Sequence, residues 1–140
     1  MHEQSLEMIE LELAILIRRS TSNTNKKLWN LDRSAYLLLR RIATKGAVGV
    51  KVLAGEFQLD ISTVSRQAAT LEHKGYLYKI PDPLDGRAYS FQITELGLKE
   101  LNEYKQARLE RIAELLIDWP DEECKVFGQL LQKFNQSLLK

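Results

Sequence analysis

Cysteine is nearly absent: Cys124 is the single one in a chain of 140 residues. No internal disulfide can form, which fits a reducing compartment. No apolar run approaches the ~20 residues that a membrane-spanning helix needs. The opening, MHEQSLEMIE, is acidic and lacks the basic start and apolar centre of a signal peptide. A cytoplasmic protein with no membrane partner is therefore expected. Histidine is scarce too: His2, His73 and Cys124 are scattered without ligand spacing, so no metal site is expected. His73 has no evident nucleophile partner and there is no glycine-rich phosphate loop, so neither catalytic residues nor a cofactor is expected. Repeats and low-complexity segments are also missing.

What remains has the composition of a folded soluble chain, sized for one domain with appended helices. Net charge is only +1, which gives no hint of an anionic partner, but the distribution is uneven. Residues 1–13 carry four Glu and no cation. Residues 14–51 carry Arg18, Arg19, Lys26, Lys27, Arg33, Arg40, Arg41, Lys45 and Lys51 against Asp32 alone. Such a block suits an anionic partner; a solvated helix surface is the alternative.

Apolar spacing sets the elements. Leu6, Ile9, Leu13 and Leu16 mark a helix over 5–20, and STSNTNKK reads as a polar connection. Asp32 is a good N-cap for a helix to about Ala43, with Tyr36, Leu37 and Leu39 available for burial. Gly46 and Gly49 break it. A short helix follows over 50–57, then the turn QLD, then a helix over 61–73 that Asp60 can cap and Gly75 stops. YLYKI and RAYSFQIT read as two strands about an Asp85-Gly86 turn. Thr94 opens a long helix with Leu101, Tyr104, Ile112, Leu115 and Trp119 on its apolar side. Pro120 interrupts it, and a last helix carries Phe127, Leu131, Phe134 and Leu138 at heptad-like spacing. The expected fold is mainly α with a small β-hairpin wing: a winged helix-turn-helix core with N- and C-terminal dimerisation helices. The expected division is 1–30 (first helix and connection), 31–97 (winged core) and 98–140 (last helices).

A helix-turn-helix inserts the N-terminal residues of its second helix into a major groove. Leu53, Ala54 and Phe57 give the first helix its contact, and Val64, Ala68 and Leu71 turn the second inward. Ser62, Thr63, Arg66, Gln67 and Thr70 then point elsewhere. Arg66 and Gln67 have the reach and donors to read guanine and adenine edges. Ser62, Thr63 and Ser65 suit phosphate contacts. Arg87 sits at the hairpin tip, where it can enter a narrow minor groove, and Asp85 can orient its guanidinium. A polar helix face and a routine turn are the bland readings of either part alone. Lys51 and Arg33, near helix starts, can fix phosphates.

These residues resemble the MarR family of bacterial winged-helix transcription regulators. The likeness covers nearly the whole chain and is most specific in STVSR (Ser62 to Arg66), LEHKGYL (Leu71 to Leu77), DPLDGR (Asp82 to Arg87) and ITELG (Ile93 to Gly97). It implies a homodimer on pseudo-palindromic double-stranded DNA, usually a repressor, often released by a small-molecule effector or an oxidant. Gly86 stands where many members have a second arginine, which removes one wing cation. Similar proteins seat effectors between the dimer helices and the winged lobe, where Trp29, Tyr36 and Trp119 are the candidates; core packing is the alternative. The family's peroxide-sensing branch uses a cysteine near the N-terminus, and this chain has none there. Asp121, Glu122 and Glu123 oppose a thiolate at Cys124, although a helix N-terminus favours one.

The dimer also follows from surface chemistry. The apolar stripes of Leu6, Ile9, Leu13 and Leu16, and of Phe127, Leu131, Phe134 and Leu138, exceed what a three-helix winged core can cover. The alternative is that these helices pack on each other within one subunit. A rival of another class shares the fold without reading DNA: a winged-helix protein-interaction module of antirepressor type.

Overall fold

The computed structural model describes residues 2–22 and 32–139. Six helices and one hairpin follow in order: α1 (Glu3–Ser22), α2 (Arg33–Lys45), α3 (Val50–Phe57), α4 (Ile61–His73), β1 (Leu77–Pro81), β2 (Tyr89–Ile93), α5 (Glu95–Leu115) and α6 (Asp121–Ser137). Among the described residues no helix is long and apolar enough to cross a membrane.

Every buried apolar side chain among the described residues lies between Leu38 and Tyr104. The core is thus built by α2, α3, α4, the hairpin and the first half of α5. Asp32 caps α2 by accepting from the Ala35 amide at 2.8 Å. The buried stripe of α2 is Leu38, Leu39 and Ile42, with Ala35 and Tyr36 beside it. Leu37, expected inside, is instead 48% exposed. At 3.6 residues per turn it lies about 100° off that stripe, and Leu38 takes its place. In α3 and α4, Leu53, Ala54, Val64, Ala68 and Leu71 are buried as expected. Between these helices Gln58 takes the left-handed conformation, φ 55°. Its amide donates to Gly55 and that of Leu59 to Ala54, so the turn closes tightly.

The hairpin is antiparallel, with Leu77 facing Ile93, Lys79 facing Phe91 and Pro81 facing Tyr89. Val48 adds a bridge to Phe91, with amide–carbonyl bonds of 3.2 and 2.8 Å. A two-residue stretch, Ala47-Val48, between two glycines shows no alternation, so this third rung was not readable in advance. The strands end at Pro81 and Tyr89, and residues 82–88 form the connecting loop, with Asp85-Gly86 inside it. Gly86 does not adopt positive φ, so the pair does not make the tightest kind of turn, which requires left-handed backbone at both centres.

Where the hairpin meets the helices, the packing is closest. Gly75, at φ 84°, ends α4 in the left-handed conformation. The Thr94 hydroxyl donates to the Gly75 carbonyl at 2.6 Å and accepts from the Gly97 amide at 2.9 Å. The Thr94 amide donates to the Tyr76 carbonyl at 3.0 Å. One residue therefore caps α5 and ties it to the end of α4. Gly97 makes the approach possible: a Cβ there would run into the Tyr76 carbonyl oxygen and stand 2.9 Å from Ile93 Cγ1.

Outside the core, α1 and α6 contribute no buried side chain among the described residues, and they do not pack extensively on each other. Ile112, Leu115 and Trp119, expected on the apolar side of α5, are exposed in the single chain together with Leu109 and Ile117.

Gly97→Ala is expected to destabilise the protein by about 1–3 kcal/mol through overpacking, and Thr94→Val by about 1 kcal/mol through the lost cap. Urea denaturation checks both: each midpoint falls while the slope with denaturant stays that of the parent.

Candidate nucleic-acid interface

Helix α4 turns Val64, Ala68 and Leu71 into the core, and this sets the opposite side. Ser62, Arg66 and Thr70 are exposed, and Thr63, Ser65 and Gln67 are half-buried. The expected reading set therefore lies outside the core, on one helix. Arg66 is loosely steadied by its Nη2 donating to Thr63 Oγ1 at 3.5 Å. Thr70 donates its hydroxyl to the Arg66 carbonyl at 3.0 Å. Asp60 occupies the N-cap with extended backbone, but its side chain makes no capping bond, contrary to expectation. At an exposed position a carboxylate gains little from an amide over water.

The wing loop is organised by its aspartates. The Asp82 carboxylate accepts from the Leu84 amide at 2.8 Å, and the Asp85 carboxylate accepts from the Arg87 amide at 3.0 Å. Ala88 and Asp85 close a turn at 3.0 Å. The guanidinium of Arg87 is 97% exposed, with Nε 3.8 Å from Asp85 Oδ1. This corrects the expected orienting bond. Asp85 shapes the backbone, and the ion pair is too long and too wet to fix the side chain.

Arg33 is the first residue of α2 and Lys51 lies in the first turn of α3; both are exposed. A cation in a first turn opposes the helix dipole, so neither is placed there for the helix's own stability. Other members of the basic block are engaged within the chain. Arg41 makes a two-point pair with Glu56, Nε to Oε1 at 2.5 Å and Nη2 to Oε2 at 2.9 Å, joining α2 to α3. Arg40 donates to the Tyr36 hydroxyl at 2.6 Å. Lys26 and Lys27 lie outside the described residues. Sequence reasoning missed the Arg41–Glu56 pair because its partners stand fifteen residues apart on different helices.

Of the effector-site candidates, the two that are described, Tyr36 and Trp119, pack on different partners. Trp29 lies outside the described residues. Tyr36 packs on Tyr104 with ring centroids 4.8 Å apart, and Trp119 packs on Phe127 at 5.4 Å. An open concavity of about 300 Å³ on α6 is lined by Glu122, Glu123, Val126, Phe127 and Leu130, none of them a candidate for that site. Of the interface candidates, Leu6, Ile9, Leu16, Phe127, Leu131, Phe134 and Leu138 are exposed and Leu13 is half-buried. Cys124 is half-buried at the start of α6.

Comparison with known proteins fits this arrangement. The sequence profile described as "MarR family" matches residues 31–89. The chain is 45% identical to the uncharacterized HTH-type transcriptional regulator YxaD of Bacillus subtilis (strain 168), covering 99% of this chain and 98% of that one. In fold it resembles a MarR family protein from Bacillus stearothermophilus, with a TM-score of 0.81 at 21% identity over 100% of this chain and 99% of that one. It also resembles Streptococcus pneumoniae FabT, solved in complex with DNA, with a TM-score of 0.69 at 18% identity over 97% and 96% of the two chains.

The Arg41–Glu56 pair joins α2 to the first helix of the helix-turn-helix through a carboxylate. Hydrogen bonding to Arg41 holds the Glu56 carboxyl below the ordinary carboxylate range, and the same bond raises Arg41. A depressed acid stabilises the fold above its unfolded pKa, and that contribution is lost as pH falls through the folded value. Thermal melts from neutral to acid pH should therefore show Glu56→Gln closer to wild type below the carboxylate range than at neutrality. A constant gap across pH would show that the pair does not contribute.

Proposed function

The chain belongs to the MarR family of winged-helix transcription regulators, and from that premise we propose that it is a cytoplasmic homodimer that reads a pseudo-palindromic operator in double-stranded DNA. In this reading it is a repressor released by a small-molecule effector, and it works by binding without chemical turnover. The observation that carries the reading is the outward face of α4, with Arg66 exposed and Gln67 beside it, on a lobe whose wing ends in a bare Arg87. Arg66 and Gln67 have the donors for base edges, and Ser62, Thr63, Ser65 and Thr70 suit the phosphates around them. Arg87 enters the adjacent minor groove, and Lys51 and Arg33 fix the backbone. FabT, similar in fold, is a protein solved on DNA, which supports the assignment.

Dimerisation is supported by exposed surface. The chain has an accessible area of 11190 Å², against roughly 7,400 Å² for a compact monomer of this length. The excess fits the bare apolar faces of α1, α6 and the second half of α5. We assign 1–30 and 98–140 to the dimer and 31–97 to DNA. A twofold axis then sets the two α4 helices about 34 Å apart, one turn of duplex. An effector acts by preferring one separation of these heads over another, which requires unequal affinity for the two geometries. The interaction-module alternative shares the fold but has no need of Arg66 or Arg87.

Binding to operator duplex, followed by gel shift across salt concentrations, tests the reading. Arg66→Ala should cost about 1–3 kcal/mol and relax sequence preference. Arg87→Ala should weaken binding and lower the salt slope by about 1. Leu131→Glu should sediment as a monomer and lose the operator. Indifference of binding to all three changes would favour the interaction module.

A further inference from the structure

The wing carries a side chain that the reading above leaves unused. Leu84 is 97% exposed, the barest of the large apolar residues among those described. It is not loosely placed, because Pro83 precedes it and the Asp82 carboxylate holds its amide at 2.8 Å. Its own loop makes it costly in water: an exposed leucine held on a protruding turn has no neighbour to cover it. The next residues add two facts. Gly86 has no positive φ, and a Cβ there would meet nothing within 4 Å, so neither backbone conformation nor crowding inside the chain demands glycine. A glycine with no internal reason suits the close approach of backbone to another molecule. Finally, loop residues 82–88 hold Asp82 and Asp85 against Arg87 alone, a local charge of −1. Coulomb attraction does not by itself draw such a loop between two phosphate rows.

We propose that Leu84 is a DNA-contacting residue: the wing carries it into the minor groove beside Arg87, where it packs against sugars and base edges, with Gly86 letting the backbone follow. Apolar side chains, leucine among them, act in this way where proteins wedge minor grooves. The contact adds a salt-independent part to wing binding and favours easily opened pyrimidine–purine steps beneath it.

The inference rests on the proposed reading of operator DNA, and the test separates the two. Wild-type protein selects a duplex from a randomised pool, and anisotropy measures affinity for it from about 50 to 200 mM salt. Leu84→Ala should weaken binding about tenfold at every salt concentration with the slope unchanged. Leu84→Met should stay within about twofold of wild type. Because Leu84 touches no core residue, Leu84→Ala should melt with the wild type. Leu84→Ala binding within about twofold of wild type, while Arg87→Ala still lowers the slope, overturns the role of Leu84 and leaves the operator reading standing. A weakened Leu84→Ala that also melts early, or whose slope changes, overturns it as well. Failure of the wild type to select any duplex removes both.

Discussion

The close approach of Gly97 to the Tyr76 carbonyl is the constraint on which the rest of the lobe depends. Because no side chain intervenes, α5 starts directly against the residue that follows the end of α4. Thr94 then uses one hydroxyl twice, capping α5 and holding the Gly75 carbonyl. The two ends of the hairpin are thereby pinned to the two helices they connect. A two-stranded ribbon alone is marginally stable in water; here its root is bonded to α4 and α5, and Val48 adds a rung at Phe91. The angle between α4 and the wing is thus a property of backbone contacts, which side-chain motion cannot easily loosen. Geometry of that kind is what simultaneous entry into two grooves requires.

From root to tip the rigidity changes character. The root is held by buried residues such as Leu77 and Phe91, and the tip by aspartate-to-amide bonds and the backbone bonds of Ala88 with Asp82 and Asp85, all in water. Charge follows the same gradient. Arg41 is committed to Glu56 where α2 meets α3, whereas Arg87 is left without a firm partner at the tip. A cation already engaged adds nothing to a phosphate contact without first giving up its carboxylate. The nine cations of residues 14–51 therefore overstate the field available to a ligand, and the few bare ones on α3, α4 and the wing matter more.

Much of this was legible in sequence because the signals were local. Asp32, Gly75, Thr94 and Pro120 mark helix ends through chemistry that acts within a few residues, and α3 and α4 begin and end where the pattern puts them. The outward set of α4 followed from the inward one, since a helix with Val64, Ala68 and Leu71 inside has only one other side. What escaped was non-local or finely angular. The Arg41–Glu56 pair and the Val48 rung join positions remote in sequence. Leu37 and Leu38 are equally apolar, and only the direction of α5 and the hairpin decides which is buried. At the hairpin, Asp-Gly is compatible with several turns, and the strand register places it inside the loop of residues 82–88. Residues 23–31 hold Trp29, so that part of the expected effector site is not addressed by the fold described.

The separation between core and bare helices bears on how a regulator of this kind responds. The core ends near Tyr104, yet α5 runs on to Leu115 as one helix, and its outer half has apolar residues that the chain itself does not cover. Gly97 and that exposed half belong to the same continuous helix. On the proposed dimer that exposed half is covered by the partner, so subunit packing and wing position share one mechanical element. The Tyr36–Tyr104 contact sits where α2 meets this helix, with Arg40 and Arg108 each set over one of the rings. A change at that contact would act on how α5 sits against α2 while leaving the exposed face of α4 as it is. On the proposed reading, regulation then requires no change in the face of α4 itself, only in the angle at which the two copies of it are presented.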